Sequence, residues 1–454
     1  MRIGKGLAVL VILLFAAASA NAGGFRLPEA GAKAMGMGFA FTAQADDPSA
    51  IYFNPAGLTQ LEGQNVMVGV TYIKENGGTF DGTTPLSFGT PISETQKTLN
   101  FLVPNAYWTR KASPNFAYGV GIFVPFGLGQ EYQNRNTSYF RNQITKIDLM
   151  TIVINPTVAY KVNDVLSVGA GIDFMYGKAK LAKTPVNLGI GDNTAGTNNL
   201  YNLDMEADGT AWGYNFGVLL IPTKAVKVGF NYRSKFSLDL KDGDVDLSSI
   251  STAPRTALGG FSLSQLWPGG PTTTFHTTGS TTINMPATAT LGVACTLDRL
   301  TVEVDADATF WHSFRSLDIS IPPVVIGGTL PVLGPSSTPK NWDDVVGVYV
   351  GAEYRVTDPL ALRLGFRYDP TPVPAETMGP ELPDANKLYY SAGAGYKVSN
   401  WTFDVAYMYV DKQDRTVNNQ SVPPISATGT PGAGFNGTWK GDAHLVALDI
   451  GYKF

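Results

Sequence analysis

The sequence has few charged residues and a single cysteine. Asp, Glu, Lys and Arg together make up 15% of its 454 residues, whereas about a quarter is usual for a soluble domain. Because Cys295 is alone, the chain forms no intrachain disulfide and no cysteine metal cluster. The formal net charge of -4 gives no support for nucleic-acid binding, which requires a basic surface.

Long apolar runs are also missing. The apolar run of residues 7–18 is too short for a spanning helix. It follows Arg2 and Lys5 and precedes Ala20-Asn21-Ala22, an A-x-A cleavage site. We therefore predict a signal peptide over residues 1–22 and export in a Gram-negative bacterium. An uncleaved anchor is the alternative.

Glycine and aromatic residues are abundant, and after residue 64 apolar and polar residues alternate in long segments. From 300 to 310 the even-numbered residues are apolar and the odd-numbered residues are Thr, Glu or Asp. A bilayer needs strands of about nine to eleven residues, whereas soluble strands average about five or six. About fourteen such segments follow one another, and single-chain bacterial barrels have an even strand number. Residues 65–454 are therefore predicted to form an all-β transmembrane antiparallel barrel.

The connections between these segments are alternately short and long. The short ones carry Asn, Asp and Pro as turn formers and are predicted to be periplasmic. Long connections, predicted to be extracellular, lie near residues 75–97, 127–145, 182–206, 240–280, 315–341, 370–384 and 416–437.

Residues 23–64 do not alternate and are rich in Gly and Ala. Asp47 and Pro48 fit an N-cap and a first helical position, and Asn54 before Pro55 indicates a stop. We predict that this segment is a compact plug in the barrel lumen, which would otherwise leak.

Several motifs of this segment resemble the hatch of FadL-type outer-membrane transporters. They are Gly24-Phe25-Arg26-Leu27, Asp46-Asp47-Pro48 and Asn54-Pro55-Ala56-Gly57-Leu58. Phe126-Gly127-Leu128 resembles the kinked third strand of the same family, and further matches follow in order along the chain. The resemblance implies a monomeric fourteen-stranded barrel with an N-terminal hatch over 23–64 and no cofactor. It also implies uptake of hydrophobic molecules: long-chain fatty acids, or monoaromatic hydrocarbons such as toluene in one branch.

The resemblance further implies a path for the ligand. Phe25 is expected near the ligand pocket, with Asn54, Pro55 and Ala56 in the hatch. A wall opening is expected at Pro125, Phe126 and Gly127, since proline lacks a donor and glycine permits unusual backbone angles. An ordinary β-bulge is the alternative for this kink.

The loops after the fifth and seventh strands are expected to form a capture groove. The second loop carries an unusual apolar load for an exposed segment, which marks a binding surface unless the loop packs onto itself. Its candidate residues are Leu258, Phe261, Leu263, Leu266 and Trp267. Candidate cations for a fatty-acid carboxylate are Lys178, Lys180 and Arg233. Solvated charges are the alternative for all three.

Two other functions are open alternatives: an outer-membrane lipolytic enzyme and a non-selective porin. No nucleophile with a base in reach stands out, and the three histidines show no metal-ligand spacing. The plug argues against free conduction. The terminal Tyr452-Lys453-Phe454 resembles the C-terminal signal recognised by the barrel assembly machinery, and outer-membrane lipid is the expected surrounding.

Overall fold

The computed structural model describes residues 23–454 except 88, 187–198, 252, 256–257, 329 and 420–433. The predicted signal peptide, residues 1–22, therefore lies outside the described residues. Within the described ranges, no helix combines the length and the apolar character needed to cross a bilayer.

Antiparallel strands dominate the described chain. Their bounds are β1 Gln64–Glu75, β2 Thr79–Thr83, β3 Ile92–Thr95, β4 Leu99–Lys111, β5 Phe116–Phe123, β6 Gly127–Glu131, β7 Lys146–Lys161, β8 Leu166–Lys183, β9 Tyr201–Thr223, β10 Val226–Arg233, β11 Phe236–Ser249, β12 Thr274–Met285, β13 Ala287–Leu297, β14 Leu300–Phe310, β15 Ser316–Ser320, β16 Val324–Ile326, β17 Leu330–Leu333, β18 Ser336–Pro339, β19 Val345–Arg355, β20 Leu360–Asp369, β21 Lys387–Val398, β22 Trp401–Asn418 and β23 Asn436–Lys453.

Most of these strands form a closed wall. In the described residues the wall has fourteen strand positions, and the third, seventh and eighth are each made of two consecutive strands: β5 and β6, β10 and β11, β12 and β13. The wall closes where β1 pairs with β23, from Asn65 opposite Lys453 to Glu75 opposite Ala443. Closure therefore leaves neither the first nor the last strand with a free edge for lipid to meet. The predicted fold class is confirmed.

On β14, alternation places apolar side chains outside and polar side chains inside, as predicted, whereas other strands also turn apolar residues inward, Met408 and Leu445 among them. On β14, Val302 is 36% exposed on the outer face, whereas Glu303 and Asp305 are fully buried inside. The inner face does not simply meet water, however. Residues 23–63 fill much of the lumen as a hatch, with two short helices, α1 Ala32–Gly36 and α2 Ala50–Phe53, and a 3-10 helix, Pro55–Gln60.

The irregular hatch backbone is bound to the wall by carboxylates. Glu303 accepts hydrogen bonds from the amides of Ala43 (2.6 Å) and Gln44 (2.9 Å). Asp305 accepts from the amides of Phe41 (3.1 Å) and Thr42 (3.0 Å). Backbone donors outside regular structure need such partners when they are buried, and bonds to a carboxylate are the stronger kind.

The helix predicted from Asp47 and Pro48 begins later than expected, at Ala50. A turn comes first, closed by the Ala50 amide donating to the Asp47 carbonyl at 3.0 Å. The predicted stop lies where the sequence places it, because Asn54 is extended and its side chain caps the following 3-10 helix.

Several predicted long loops are partly strand. Residues 182–206 contain the end of β8 and the start of β9, and residues 240–280 contain much of β11 and β12. In β11, Val245 and Leu247 are buried while Asp246 between them is not. The strands and their period-two burial thus continue beyond the bilayer-spanning part. Their outward residues are polar there, so the sequence resembles a loop rather than a strand.

Candidate functional site

Two cavities lie on either side of Phe25. The larger, about 410 Å³, lies between the N-terminal stretch of the hatch and the wall, and its lining includes Phe101, Tyr389 and Leu445. The smaller, about 110 Å³, is lined by apolar residues that include Met205 and Ile283. Since Phe25 lines both cavities, its side chain stands at the boundary between them.

Phe25 is 5% exposed and is surrounded by aromatic rings. Its ring centroid lies 4.8 Å from Trp311, 5.8 Å from Phe314 and 5.7 Å from Trp342. These rings turn into the lumen because the chain leaves the wall after β14 and returns at β19. Edge-on ring packing of this kind stabilises a single side-chain position, so the Phe25 ring is held between the two cavities.

The N-terminal stretch of the hatch is hydrogen-bonded to the predicted kink. The Leu27 amide donates to the Pro125 carbonyl at 2.8 Å, and the Gly127 amide donates to the Phe25 carbonyl at 3.0 Å. Arg26 and Phe126 form an antiparallel bridge between these two bonds. Kink and hatch are therefore one hydrogen-bonded unit, and a shift of Phe25 must disturb the kink.

The kink interrupts the wall beside the larger cavity. β4 pairs with β5 only from Ala106 to Lys111, and the upper strand β6 pairs with β7. In the described strands, residues 99–105 of β4 have β1 as their ladder partner and none on the other side. We call this unpaired boundary between β4 and β6 the seam.

Along residues 99–105 of β4, side chains rather than backbone hydrogen bonds close the seam, whereas at its end the Lys97 amide donates to the Glu131 carbonyl at 2.7 Å. The ring of Phe101 lies against Gly129, where an added Cβ would be 2.3 Å from the Phe101 Cζ. On the outer side Leu102 is 70% exposed and Met150 53% exposed, so the outer lip is apolar. Two interpretations of the kink were open, a gap in the wall and an ordinary β-bulge. An interruption of the hydrogen-bond ladder describes the geometry better than a one-residue bulge.

Asn54, Pro55 and Ala56 lie in the hatch but line neither cavity. The Asn54 side-chain amide donates to the carbonyls of Thr42 (2.8 Å) and Val218 (3.0 Å). At Gly217 a Cβ would lie 2.1 Å from the Asn54 Oδ1. This motif therefore fixes the hatch to β9, and its assignment to ligand binding stays a prediction.

The three candidate headgroup cations are not brought together. Lys178 and Lys180 on β8 both form ion pairs with Glu206, Lys180 at 2.6 Å, and Lys180 and Glu206 also border the smaller cavity. Arg233 lies inside, 2.6 Å from Asp173 and over the rings of Tyr52 and Phe123. Each of the three cations thus already has a carboxylate partner.

The candidate capture loop packs largely against the neighbouring strands β9 and β11. Leu263 and Trp267 are buried in a cluster with residues of β9 and β11, and Leu258 and Leu266 pack against it. Phe261 is 51% exposed. Several residues of this cluster, Val245 among them, also line the smaller cavity. The loop residues do not line that cavity themselves but pack on the cluster that borders it.

Sequence reasoning did not place two groups at the site: the tryptophans around Phe25, and Glu29. Residues 310–314 interrupt the alternation of β14 with two apolar rings, Trp311 and Phe314, which is the one signal available for the inward turn. Glu29 gave none. It lines the larger cavity, and burial raises the pKa of its carboxyl to about 7 although Arg367 acts in the opposite direction. Within the described ranges, no cluster of three or more His, Cys, Asp and Glu residues suits a metal ion.

Comparison with known proteins identifies relatives along the whole barrel. A family model described as outer membrane protein transport protein (OMPP1/FadL/TodX) matches residues 13–454. The "Long-chain fatty acid transport protein" of Escherichia coli O6:H1 is 27% identical over 99% of this chain and 98% of its own length. "Outer membrane protein P1" of Haemophilus influenzae is 25% identical over 97% of each chain.

Solved structures share the fold. A FadL homologue of Pseudomonas aeruginosa superposes with a TM-score of 0.74 at 22% identity, over 95% of this chain and all of that one. The toluene transporter TbuX of Ralstonia pickettii gives a TM-score of 0.63 at 20% identity, over 93% of this chain and 98% of that one.

Proposed function

Because this chain belongs to the outer membrane protein transport family (OMPP1/FadL/TodX), we propose that it takes up long-chain fatty acids and releases them sideways into the membrane. As a family member it is an outer-membrane β-barrel that transports hydrophobic compounds, and it is not an enzyme. The fatty-acid ligand and the sideways route are the proposal. A curated relative of similar length carries the fatty-acid name.

The proposed route begins at the extracellular loops and uses both cavities in turn. A ligand captured near Phe261 enters the smaller cavity beneath the loop cluster and then passes Phe25 into the larger one. Burial of each methylene gives about 0.8 kcal/mol, so apolar walls alone draw an alkyl chain from dilute solution. Outer-membrane lipid beyond the seam is the next apolar environment, and the chain moves into it through the seam.

The observation that carries this proposal is the position of the seam. It borders the larger cavity, its outer lip is apolar, and its kink is hydrogen-bonded to the stretch that carries Phe25. Displacement of Phe25 by a ligand would weaken the two bonds at Pro125 and Gly127 and so free the seam. Free diffusion through a non-selective porin does not require a coupling between hatch and wall. Measurement of ion conductance in planar bilayers distinguishes a porin from a transporter.

Monoaromatic hydrocarbons are the second candidate ligand. The observation that favours them is the smaller cavity, whose volume of about 110 Å³ and apolar lining suit one ring rather than a long chain. One structural neighbour is named a toluene transporter. Mass spectrometry of the ligand retained after gentle extraction distinguishes the two candidates.

Sideways release is tested by the variant Gly127→Leu. Gly127 lines the larger cavity, and a Cβ there would lie 2.6 Å from a side-chain carbon of Leu27, so a leucine occupies the space that a ligand crosses on its way to the seam. The matched control is Gly451→Leu, where the nearest atom is 3.6 Å away. We expect uptake to fall in the first variant alone, while both barrels assemble. Unchanged uptake in Gly127→Leu counts against sideways release.

Two further parts of the proposal concern assembly. Phe454 is 66% exposed, and its amide donates to the Gln64 carbonyl where the barrel closes. An exposed terminal aromatic ring suits recognition by the barrel assembly machinery. We also propose that the barrel works as a monomer, because the seam and both cavities are complete within one chain.

A further inference from the structure

The wall has a second interruption, between its eighth and ninth strand positions. After β14 the chain turns into the lumen as a 3-10 helix, Trp311–Ser313, and the eighth strand is broken at Pro286, between β12 and β13. β12 regains a partner on this side only at Ser280 and Thr281, which pair with β15. In the described strands, residues 282–285 therefore have β11 as their ladder partner and none on the other side. We call this gap the notch.

The notch separates the smaller cavity from a groove on the outside of the wall, which we call the outer groove and which has a volume of about 480 Å³. Asn284 and Ser313 line the outer groove, whereas their neighbours Ile283 and Phe314 line the smaller cavity. Among the described residues no backbone hydrogen bond crosses the notch. Movement of side chains alone can therefore connect the two spaces. The connection would open beside Phe25, whose ring centroid lies 5.8 Å from that of Phe314.

The outer groove begins where the outward side chains change from apolar to polar. Leu291 of β13 is 47% exposed, whereas the outward residues of β12 beyond the break are Asn284 and Thr282. The apolar outer band of a barrel ends at the headgroup level of the membrane. The outer groove therefore lies beside the headgroups of the outer leaflet, and the apolar smaller cavity lies behind it. This order of polar and apolar surfaces suits an amphiphile rather than a plain hydrocarbon.

Two exposed cations line the outer groove. The Arg315 guanidinium forms no ion pair with any described residue, and the Lys241 ammonium is 74% exposed and lies 4.0 Å from Asp239. The acidic side chain among the described lining residues is Asp318, which accepts from the Ser316 hydroxyl at 2.7 Å. Serine and threonine hydroxyls make up most of the remaining lining. Cations and hydroxyl donors together are the complement of a carboxylate headgroup.

We propose that the notch is a side entrance, through which long-chain amphiphiles with an ionised headgroup pass from the outer leaflet into the smaller cavity. The inference rests on the transport function proposed above and adds a way in that bypasses the extracellular loops. The headgroup stays at Arg315 and the hydroxyls of the outer groove, while the alkyl chain moves between Ile283 and Phe314. Burial of the chain in the smaller cavity is favourable. From there it reaches Phe25 and follows the route already described.

The test measures uptake of hexadecanoate that has been loaded into the outer leaflet of intact cells, with the full-length protein as their only transporter of this kind. Asn284→Trp fills the outer groove, and its matched control is Thr210→Trp, an exposed residue of β9 that lines neither the outer groove nor either cavity. Arg315→Glu reverses a charge of the outer groove, Arg315→Lys keeps it, and Lys235→Glu reverses an exposed charge outside it. Thermal unfolding of each purified barrel verifies that it is folded.

We expect Asn284→Trp to remove most of this uptake and Thr210→Trp to leave it unchanged. Arg315→Glu should slow hexadecanoate uptake by roughly tenfold at low ionic strength, the lower end of the rate changes that a charged cleft causes. High salt should shrink that loss, and uptake of hexadecan-1-ol should hardly respond to the charge. Arg315→Lys and Lys235→Glu should behave as the unaltered protein does.

Two results overturn the side entrance and leave the transport proposal standing. One is unchanged uptake of hexadecanoate in Asn284→Trp, and the other is an equal loss in Thr210→Trp. If the unaltered protein takes up no hexadecanoate from either the leaflet or a water-soluble carrier, the side entrance and the proposed function are both wrong.

Discussion

Replacing Phe25 with alanine is the perturbation that bears most directly on the passage between the two cavities. The ring is 5% exposed and packs against four aromatic side chains with centroid distances from 4.8 to 6.1 Å. Truncation of a buried Phe costs about 3–5 kcal/mol. Here that loss falls on the arrangement in which the ring closes the passage.

If this packing is present only when the passage is closed, its loss shifts the equilibrium toward molecules with an open passage. Since about 1.4 kcal/mol corresponds to a tenfold change in an equilibrium constant, Phe25→Ala should raise the ratio of open to closed molecules by roughly a hundredfold or more. Uptake will rise less, because capture and release then limit the rate. The assay follows transfer of a fluorescent long-chain fatty acid from a water-soluble carrier into proteoliposome membranes.

The control for this variant is Phe41→Ala. Phe41 is a fully buried hatch ring that packs edge-on against Phe53 at 5.5 Å and lines neither cavity. It should lose similar stability without any gain in uptake. Uptake by a folded Phe25→Ala barrel at or below the level of the unaltered protein would refute the gating role.

Three other changes have defined outcomes. Gly217→Val should lower the thermal unfolding midpoint through overpacking against Asn54, at a cost of about 1–3 kcal/mol, whereas Gly441→Val, with 3.5 Å to its nearest neighbour, should not. Glu303→Ala removes the acceptor of two hatch amides, and each bond contributes about 1.5–3 kcal/mol. Amide hydrogen exchange at residues 41–44 should therefore accelerate. Unchanged exchange would exclude Glu303 as an anchor of the hatch. Deleting Phe454 should reduce insertion into the outer membrane, measured as heat-modifiable protein in membrane fractions, and full insertion would remove its proposed role.

The sequence predicts the wall well because a wall strand has one lipid face, which imposes a strict period of two over long segments. β14 alternates from one end to the other with polar inward residues, and β23 alternates over its second half, where its inward residues are mostly apolar, such as Leu445 and Ala447. The break at Pro125 and Gly127 was also predictable, since neither residue suits a continuous ladder. Local residue chemistry is sufficient for these features.

What the sequence does not predict depends on partners distant along the chain. Polar residues such as Glu303 indicate an inward face, but their hatch partners lie some 260 residues earlier. The pairing of Lys178 with Glu206, and of Arg233 with Asp173, likewise depends on strand register rather than on local pattern. The three candidate headgroup cations therefore already have carboxylate partners, Lys178 and Lys180 sharing Glu206. The apolar residues of the capture loop gave no sign that they meet β9 and β11.

The most direct test of the central claim is a reversible bond between the hatch and the kink. Arg26 and Phe126 face each other as an antiparallel pair flanked by the two kink hydrogen bonds. Pairs of this kind have Cα atoms about 4.5 Å apart, which a disulfide can span. The variant is Arg26→Cys with Phe126→Cys, in a Cys295→Ser background.

Uptake is measured on the same preparation before and after reduction, with the disulfide verified by mass. If ligand leaves through the seam only when the Phe25 stretch moves off the kink, the oxidised protein should be nearly inactive and reduction should restore uptake. Equal uptake in the oxidised and reduced protein would contradict this mechanism.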